Sequence, residues 1–370
     1  MAYETTVPQG VDEITPPWVE SVLQRDLPGC RVASIDITRI GEGVGFLGEL
    51  ARISIEYGSD PSNAPSSIIA KIATQVAEPR ALAVGMGFYE REVSFYRDLA
   101  HQAGARVPHS YYSRLQPDGG FALVLEDFPD AIVGDQIKSC TDDEACLAVR
   151  EIAKLHAQWW QSDKLAQYEW FPTQGHPFLD TLRETYRQCL PVYEERCGEK
   201  FGPDVLRLAN RLADRYDEYI SYVYENLPLT LVHGDYRLDN LLFNAEEKNS
   251  PLVVLDWQLT QQTSGLADLQ YFIAGNLRND ARRRLTDDLL RLYYDTLCEA
   301  GVRDYGLAQC REDFRAMSTL LAFYLVVGTA SINPEDYDER GHDLIELLYG
   351  SMAEAILEHD AEGWMLQALK

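Results

Sequence analysis

The sequence predicts an α+β fold, a strand-rich N-terminal region followed by a helix-rich C-terminal one. Three observations carry this. Up to about Asp130 the apolar residues alternate or run in short β-branched stretches. Beyond it they recur at helical spacing over long segments. Two short apolar strands, 230–232 and 252–255, stand among those helices with polar residues gathered at their ends.

Taken in order, residues 32–40 and 47–57 read as strands, and the Gly-Ser-Asp-Pro-Ser-Asn-Ala-Pro-Ser-Ser stretch at 58–67 reads as a loop. Residues 67–73 resume as a strand and carry Lys71. A helix follows at 87–101, with Phe88, Val93, Phe95, Tyr96 and Leu99 available for its buried side. Residues 121–125 form a further strand that runs into Glu126-Asp127-Phe128. Helical patterns then cover 142–161, 178–196, 203–225, 280–300 and 311–327. The change of pattern divides the chain into 1–128 and 129–370, and a cleft between two such parts is a natural ligand site.

Composition excludes several classes. The net charge of -26 argues against nucleic acid and against anionic membrane surfaces as partners. The seven cysteines (Cys30, Cys140, Cys146, Cys189, Cys197, Cys298, Cys310) form no CxxC pair and lack zinc spacing. They read as free thiols in a reducing cytoplasm. Residues 1–10 have neither the basic nor the apolar stretch of a secretory signal. The charge-free stretch 316–334 approaches the length of a membrane span, but its Ser318, Thr319, Gly328, Thr329, Ser331 and Asn333 favour a buried core helix, so no membrane span is expected.

The segment Leu231-Val232-His233-Gly234-Asp235-Tyr236-Arg237-Leu238-Asp239-Asn240-Leu241-Leu242 is the most informative. An apolar strand delivers a polar loop, and the next apolar strand ends in Asp256-Trp257. Phosphoryl transfer needs a carboxylate to position an attacking hydroxyl and accept its proton, and magnesium to neutralise the phosphates. Magnesium takes oxygen ligands, for which a carboxylate and an amide carbonyl suffice alongside water and phosphate. Asp235 suits the base, and Asn240 and Asp256 suit the metal. The Asp-to-Asn step of five matches the kinase catalytic loop, and Asp256 takes the place of the Asp in the kinase DFG segment, followed here by Trp257-Gln258.

On these residues the sequence resembles the aminoglycoside phosphotransferase and choline kinase superfamily, which has His-Gly-Asp where protein kinases have His-Arg-Asp. Together with Leu255-Asp256-Trp257-Gln258 and Gly265-Leu266-Ala267-Asp268-Leu269, the loop is most similar to the acyl-CoA-dehydrogenase-associated and ecdysteroid-kinase-like branches. The resemblance runs from about Gly41 to Val327. It implies a two-lobed protein-kinase-like fold, with a nucleotide-binding lobe at 1–128 and a catalytic, acceptor-binding helical lobe at 129–370. It further implies an ATP- and Mg2+-dependent kinase that phosphorylates a small-molecule hydroxyl acceptor.

Other pieces take roles within that resemblance. The glycine cluster at 41–48, with Gly43 and Gly45, lies between two strands and lets a hairpin approach phosphates. It lacks the Gly-Lys-Ser/Thr ending of a P-loop. Lys71, inside an apolar strand, needs a partner. The family places it on the ATP phosphates with a helix glutamate, for which Glu92 is the choice and Glu90, on a different face, the alternative. Backbone groups around Glu126 to Phe128 correspond to the inter-lobe hinge that recognises adenine. Asp268 supports the catalytic loop by hydrogen bonds, His233 is structural, and His156 packs beneath the loop. Arg237 either neutralises phosphate or holds the loop.

The acceptor stays open. The aromatic residues between 159 and 226 permit an apolar pocket, or an aromatic and acidic one for a choline-like cation. Glu194, Glu195 and Glu199 are candidate carboxylates for an aminoglycoside. The branch resemblance favours a non-cationic hydroxylated metabolite. A nucleotide-binding regulatory module without turnover is the alternative, opposed by the presence of Lys71, Asp235, Asn240 and Asp256 together. A protein kinase is opposed by the lack of an Ala-Pro-Glu segment.

Overall fold

The computed structural model describes residues 6–41, 47–59, 63–198, 200–244, 251–331 and 339–369, with the backbone alone at 331 and 339–346. The β-branched stretches of the N-terminal region form β1 (Arg31–Ile40), β2 (Gly48–Ser59), β3 (Ser67–Ala73), β4 (Ser110–Leu115) and β5 (Phe121–Glu126). They make one antiparallel sheet in the order β1-β2-β3-β5-β4. Alternation along β3 sends Ile68, Ala70 and Ile72 to a closed core and Lys71 to the opposite face. Helix α1 (Pro16–Leu23), capped by Thr15 and opened by proline, closes that core with Val19, Val22 and Leu23.

Two helices follow β3 in the chain, α2 (Ala77–Gly85) and α3 (Phe88–Asp98), and α3 packs on β4 and β5. This first unit spans Met1–Ala131 and takes in one later segment, Leu255–Leu259. That segment contributes Trp257, fully buried, whose ring stacks on Phe95 of α3 at 3.9 Å between centroids and 7° between planes.

The second unit comprises Ile132–Val254 and Thr260–Lys370. Its strands are β6 (Ile132–Val133), β7 (Leu229–Val232), β8 (Leu241–Phe243), β9 (Leu252–Val254) and β10 (Gln261–Ser264). They form a β6-β8-β9 sheet and a β7-β10 pair, all antiparallel. Its helices are α4 (Asp142–Gln158), α5 (Pro177–Cys197), α6 (Pro203–Asp214), α7 (Tyr216–Asn226), α8 (Leu266–Asn276), α9 (Asn279–Glu299), α10 (Leu307–Met317), α11 (Leu320–Ser331), α12 (Glu339–Glu358) and α13 (Ala361–Ala368). Every residue of α8 is buried, which marks it as the central helix of this unit.

Two of the expected helices are broken. The 203–225 pattern divides at Arg215, whose backbone leaves the helical region (φ -120°, ψ 26°). The 311–327 pattern divides at Ser318 and Thr319, where the Ser318 hydroxyl donates back to Arg315 O (2.6 Å). Within the charge-free stretch, α11 buries Leu321, Ala322, Leu325 and Val326. Among the described residues no helix is long and apolar enough to cross a membrane. All seven cysteines are free.

Beside β6, Gly134 is pressed against the turn at 238–240, and a Cβ there would lie 2.3 Å from the Leu238 carbonyl oxygen. Gly134→Ala should therefore destabilise the protein by about 1–3 kcal/mol. Gly58→Ala, where a Cβ makes only ordinary contacts at 3.8 Å, should change stability by less than about 0.5 kcal/mol. Urea unfolding of the two variants checks this; equal midpoints would mean that the close approach relaxes at no cost.

Candidate active site

Chemistry-bearing residues collect in two places, one in each unit. In the first unit Lys71 is the hub. Its ammonium lies 2.8 Å from the Glu92 carboxylate and 3.0 Å from Asp256 Oδ1. Strand β3 aims the lysine away from the Ile68-Ala70-Ile72 core, and α3 presents Glu92, while Glu90 is exposed. Glu92 and not Glu90 is thus the partner.

One cation faces two carboxylates, in a setting where the Glu92 side chain is only 2% exposed. Burial pushes the Glu92 carboxyl up to about 7, against the pull of Lys71. Burial works to lower Lys71, but Asp256 and Glu92 outweigh it and hold the ammonium above its ordinary value. Asp256 sits at φ +62°, a left-handed conformation that costs a non-glycine residue free energy and is found most at functional sites. Its Oδ2 accepts from Gln258 Nε2 (3.3 Å), and Gln258 O accepts from the buried Arg91 Nε of α3 (2.8 Å). Arg91 was not legible in advance, since an arginine beside two glutamates in a helix reads as a solvated face.

The expected adenine-recognising segment is also in this unit. The Glu126 side chain pairs with Arg106 and accepts the His109 N–H, and Phe128 lies beneath the Arg106 guanidinium at 5.2 Å. The Glu126 N–H donates to His109 O (2.8 Å), and Phe128 O accepts from Ala131 N–H (3.1 Å). These backbone groups are engaged within the unit itself. Gly43 and Gly45 lie outside the described residues.

In the second unit, β7 delivers the His-Gly-Asp loop into a lattice of hydrogen bonds. Gly234 has φ +85°, which glycine adopts without penalty. Asp268, in the first turn of α8, accepts from His233 N–H at Oδ2 (2.7 Å) and Gly234 N–H at Oδ1 (2.9 Å). His156 of α4 lies 3.2 Å from Asp268 Oδ2 and 2.9 Å from the Tyr293 hydroxyl of α9. His233 Nδ1 accepts from Asp235 N–H (3.2 Å).

Asp235 itself is surrounded by donors. Oδ2 accepts from Asn240 Nδ2 (3.0 Å) and Arg237 Nε (3.1 Å), and Oδ1 accepts from the Tyr271 hydroxyl (3.0 Å). Burial acts to raise the Asp235 carboxyl, but Arg237, His233 and the bonds from Tyr271 and Asn240 prevail and hold it below the usual carboxylate range. At neutral pH it is an ionised acceptor. Arg237 also bonds Gln136 and Asp239, so its guanidinium belongs to the loop's own bonding. Gln136, Asn276 (whose Oδ1 accepts Leu238 N–H at 2.8 Å), Tyr271 and Tyr324 escaped the sequence reading. One signal was available for Tyr271: it follows Asp268 by three positions and so shares its helix face.

Carboxylate and amide oxygens, such as Asp256 and Asn240 each carry, are of the ligand type that magnesium takes. Among the described residues no cluster of three or more His, Cys, Asp or Glu side chains gathers for a metal. A magnesium ion that arrives with a nucleotide needs only one or two protein oxygens. The Asn240 amide nitrogen is spent on Asp235 O (2.9 Å) and Oδ2, which fixes the amide and leaves its carbonyl oxygen as the group for a hard cation.

Glu92→Ala should cost about 1.5–3 kcal/mol, because it strips the buried Lys71 ammonium of one of its two carboxylates while Asp256 stays in place. Glu90→Ala should stay within about 0.5 kcal/mol. Equal effects in chemical denaturation would deny Glu92 its place at the centre of the first unit.

The family model for the ecdysteroid kinase-like family matches residues 42–303. A stretch of 42 residues is 55% identical to acyl-CoA dehydrogenase family member 10 of Mus musculus, and covers 11% of this chain and 4% of that protein. A stretch of 60 residues is 40% identical to acyl-CoA dehydrogenase family member 11 of Gallus gallus, and covers 15% of this chain and 8% of that protein. Both matches thus span a small part of those relatives. Among solved structures, the GDP and kanamycin complex of APH(2")-IIia shares the fold at a TM-score of 0.50 and 15% identity, over 93% of this chain and 98% of that one. A choline kinase from Streptococcus pneumoniae aligns at a TM-score of 0.46 and 15% identity, over 91% and 99%. With a family match over well more than half its length, the chain belongs to the ecdysteroid kinase-like family.

Proposed function

We propose that the protein transfers the γ-phosphoryl group of ATP, with magnesium, to a hydroxyl of a small molecule, and that Asp235 is the base. The observation that carries this reading is the state of Asp235: a carboxylate held ionised, with Oδ2 taken by two loop donors and Oδ1 by one. Such a group accepts the proton of an acceptor hydroxyl as its oxygen bonds to the γ-phosphorus and the bond to the ADP oxygen breaks. Transfer is direct, with no phospho-enzyme.

Lys71 supplies a fixed positive charge for the phosphates, and Glu92 keeps it oriented. Asp256 offers a carboxylate and Asn240 an amide oxygen as magnesium ligands. When bound, the metal offsets the charge of the phosphate oxygens. Arg237 holds the carboxylate of the base, and Asp268 and His233 hold the loop backbone. The acceptor is a non-cationic hydroxylated metabolite in this reading, and the free thiols fit a cytoplasmic setting.

The test is ADP release by purified protein with ATP and magnesium, across choline, aminoglycosides, hydroxysteroids, sugars and hydroxyacyl-CoAs. Asp235→Asn should lower acceptor-dependent turnover by about 10²- to 10⁴-fold while nucleotide binding persists. Near-native turnover in that variant would sink the assignment of the base. Asp256→Ala, or chelation of magnesium by EDTA, should abolish metal-dependent nucleotide binding as read by calorimetry. Unchanged affinity in both cases would remove magnesium from the scheme.

A further inference from the structure

The carboxylate of Asp235 is bonded unequally. Both donors on Oδ2 come from its own loop, Asn240 and Arg237. Among the described residues the one donor on Oδ1, Tyr271, comes from α8, outside the loop. A base needs one lone pair open to the substrate and a fixed rotation about its Cβ–Cγ bond. Two donors on Oδ2 leave that oxygen saturated, so Oδ1 is the working atom, and its rotation is set from the side of Tyr271.

The tyrosine is itself firmly placed. Its ring is buried and packs on Tyr324 of α11, with centroids 4.5 Å apart at 43°. The Tyr324 hydroxyl in turn donates to Gly234 O (3.3 Å). The two phenols thus grip the loop at two points, the carbonyl before Asp235 and the carboxylate. Burial, and next the charge of Asp235, keep the Tyr271 hydroxyl protonated well beyond neutral pH, so it is a permanent donor.

We propose that Tyr271 is a positioning residue for phosphoryl transfer: its hydroxyl orients Asp235 so that the second lone pair of Oδ1 receives the acceptor proton. The proposal rests on the reading of Asp235 as the base. It predicts that the hydroxyl of Tyr271 matters to turnover and not to binding, since it touches neither the Lys71 group nor the amide of Asn240.

Tyr271→Phe removes one oxygen and keeps the ring stack. Its kcat should fall about ten- to a hundredfold, the loss expected when a reacting group is misplaced. KM for ATP should stay unchanged, and the thermal midpoint should fall by no more than about 5 °C, the loss of one hydrogen bond to a carboxylate. The assay is ADP release with magnesium-ATP, using water and the best compound of the panel as acceptors. Asp235→Asn and the double variant complete a cycle. If Tyr271 works through Asp235, the second substitution adds no further loss in the Asp235→Asn background, whereas an independent structural role subtracts again. Loss of turnover in Asp235→Asn with native kcat in Tyr271→Phe overturns this proposal alone. Native turnover in Asp235→Asn overturns the reading beneath it. A fall in kcat matched by a midpoint drop well beyond about 5 °C or by a raised KM assigns Tyr271 to packing and overturns the positioning role.

Discussion

The second unit is organised around one buried carboxylate. Asp268 is 1% exposed, and such a group is costly to enclose unless several donors meet it. Here the N–H groups of His233 and Gly234 and the imidazole of His156 do so. The same contacts tie three elements to one point: α8, which carries Asp268, β7, which leads into the loop, and α4, which carries His156. Through His156 and the Tyr293 hydroxyl, α9 joins them. Glycine at 265 is a condition of this node, because a Cβ there would press on His156 and Tyr293 at 2.6 and 2.5 Å. The turn of the His-Gly-Asp loop is therefore a property of the core beneath it and not of the loop residues alone.

In the first unit the governing arrangement is electrostatic. Lys71 is a single cation against Glu92 and Asp256, and a group of that sign balance has capacity for further positive charge. The left-handed backbone at Asp256 is maintained by its surroundings: Trp257 is locked against Phe95, and Arg91 holds the Gln258 carbonyl.

Most of this was legible in the residues. Strands β1, β2, β3, β5, β7 and β9, the five-residue step from Asp235 to Asn240 and the placing of Lys71 follow from alternation and spacing, which are local properties; β4, β6, β8 and β10 went unread. What escaped notice depends on contacts distant in sequence. The break at Arg215 carries no glycine or proline to announce it, and at the break beyond Met317 the Ser318 hydroxyl competes for the Arg315 carbonyl. Glu90 and Glu92 are equivalent as letters, and only the rotation of α3 separates them. Tyr271 and Tyr324 looked like two of many core tyrosines, because a phenol's role is decided by the one polar atom that its hydroxyl meets.

The route of the chain through the first unit has a consequence for biosynthesis. Leu255–Leu259 belongs to that unit, yet residues 132–254 must be translated before it emerges from the ribosome. Until then the Phe95 ring lacks Trp257, and Lys71 has Glu92 but not Asp256. A nascent fragment ending at Ala131 would present an unfinished apolar surface on α3, of the kind that chaperones recognise. Recombination at the apparent boundary of the units, after Ala131, would separate the lysine from one of its two carboxylates.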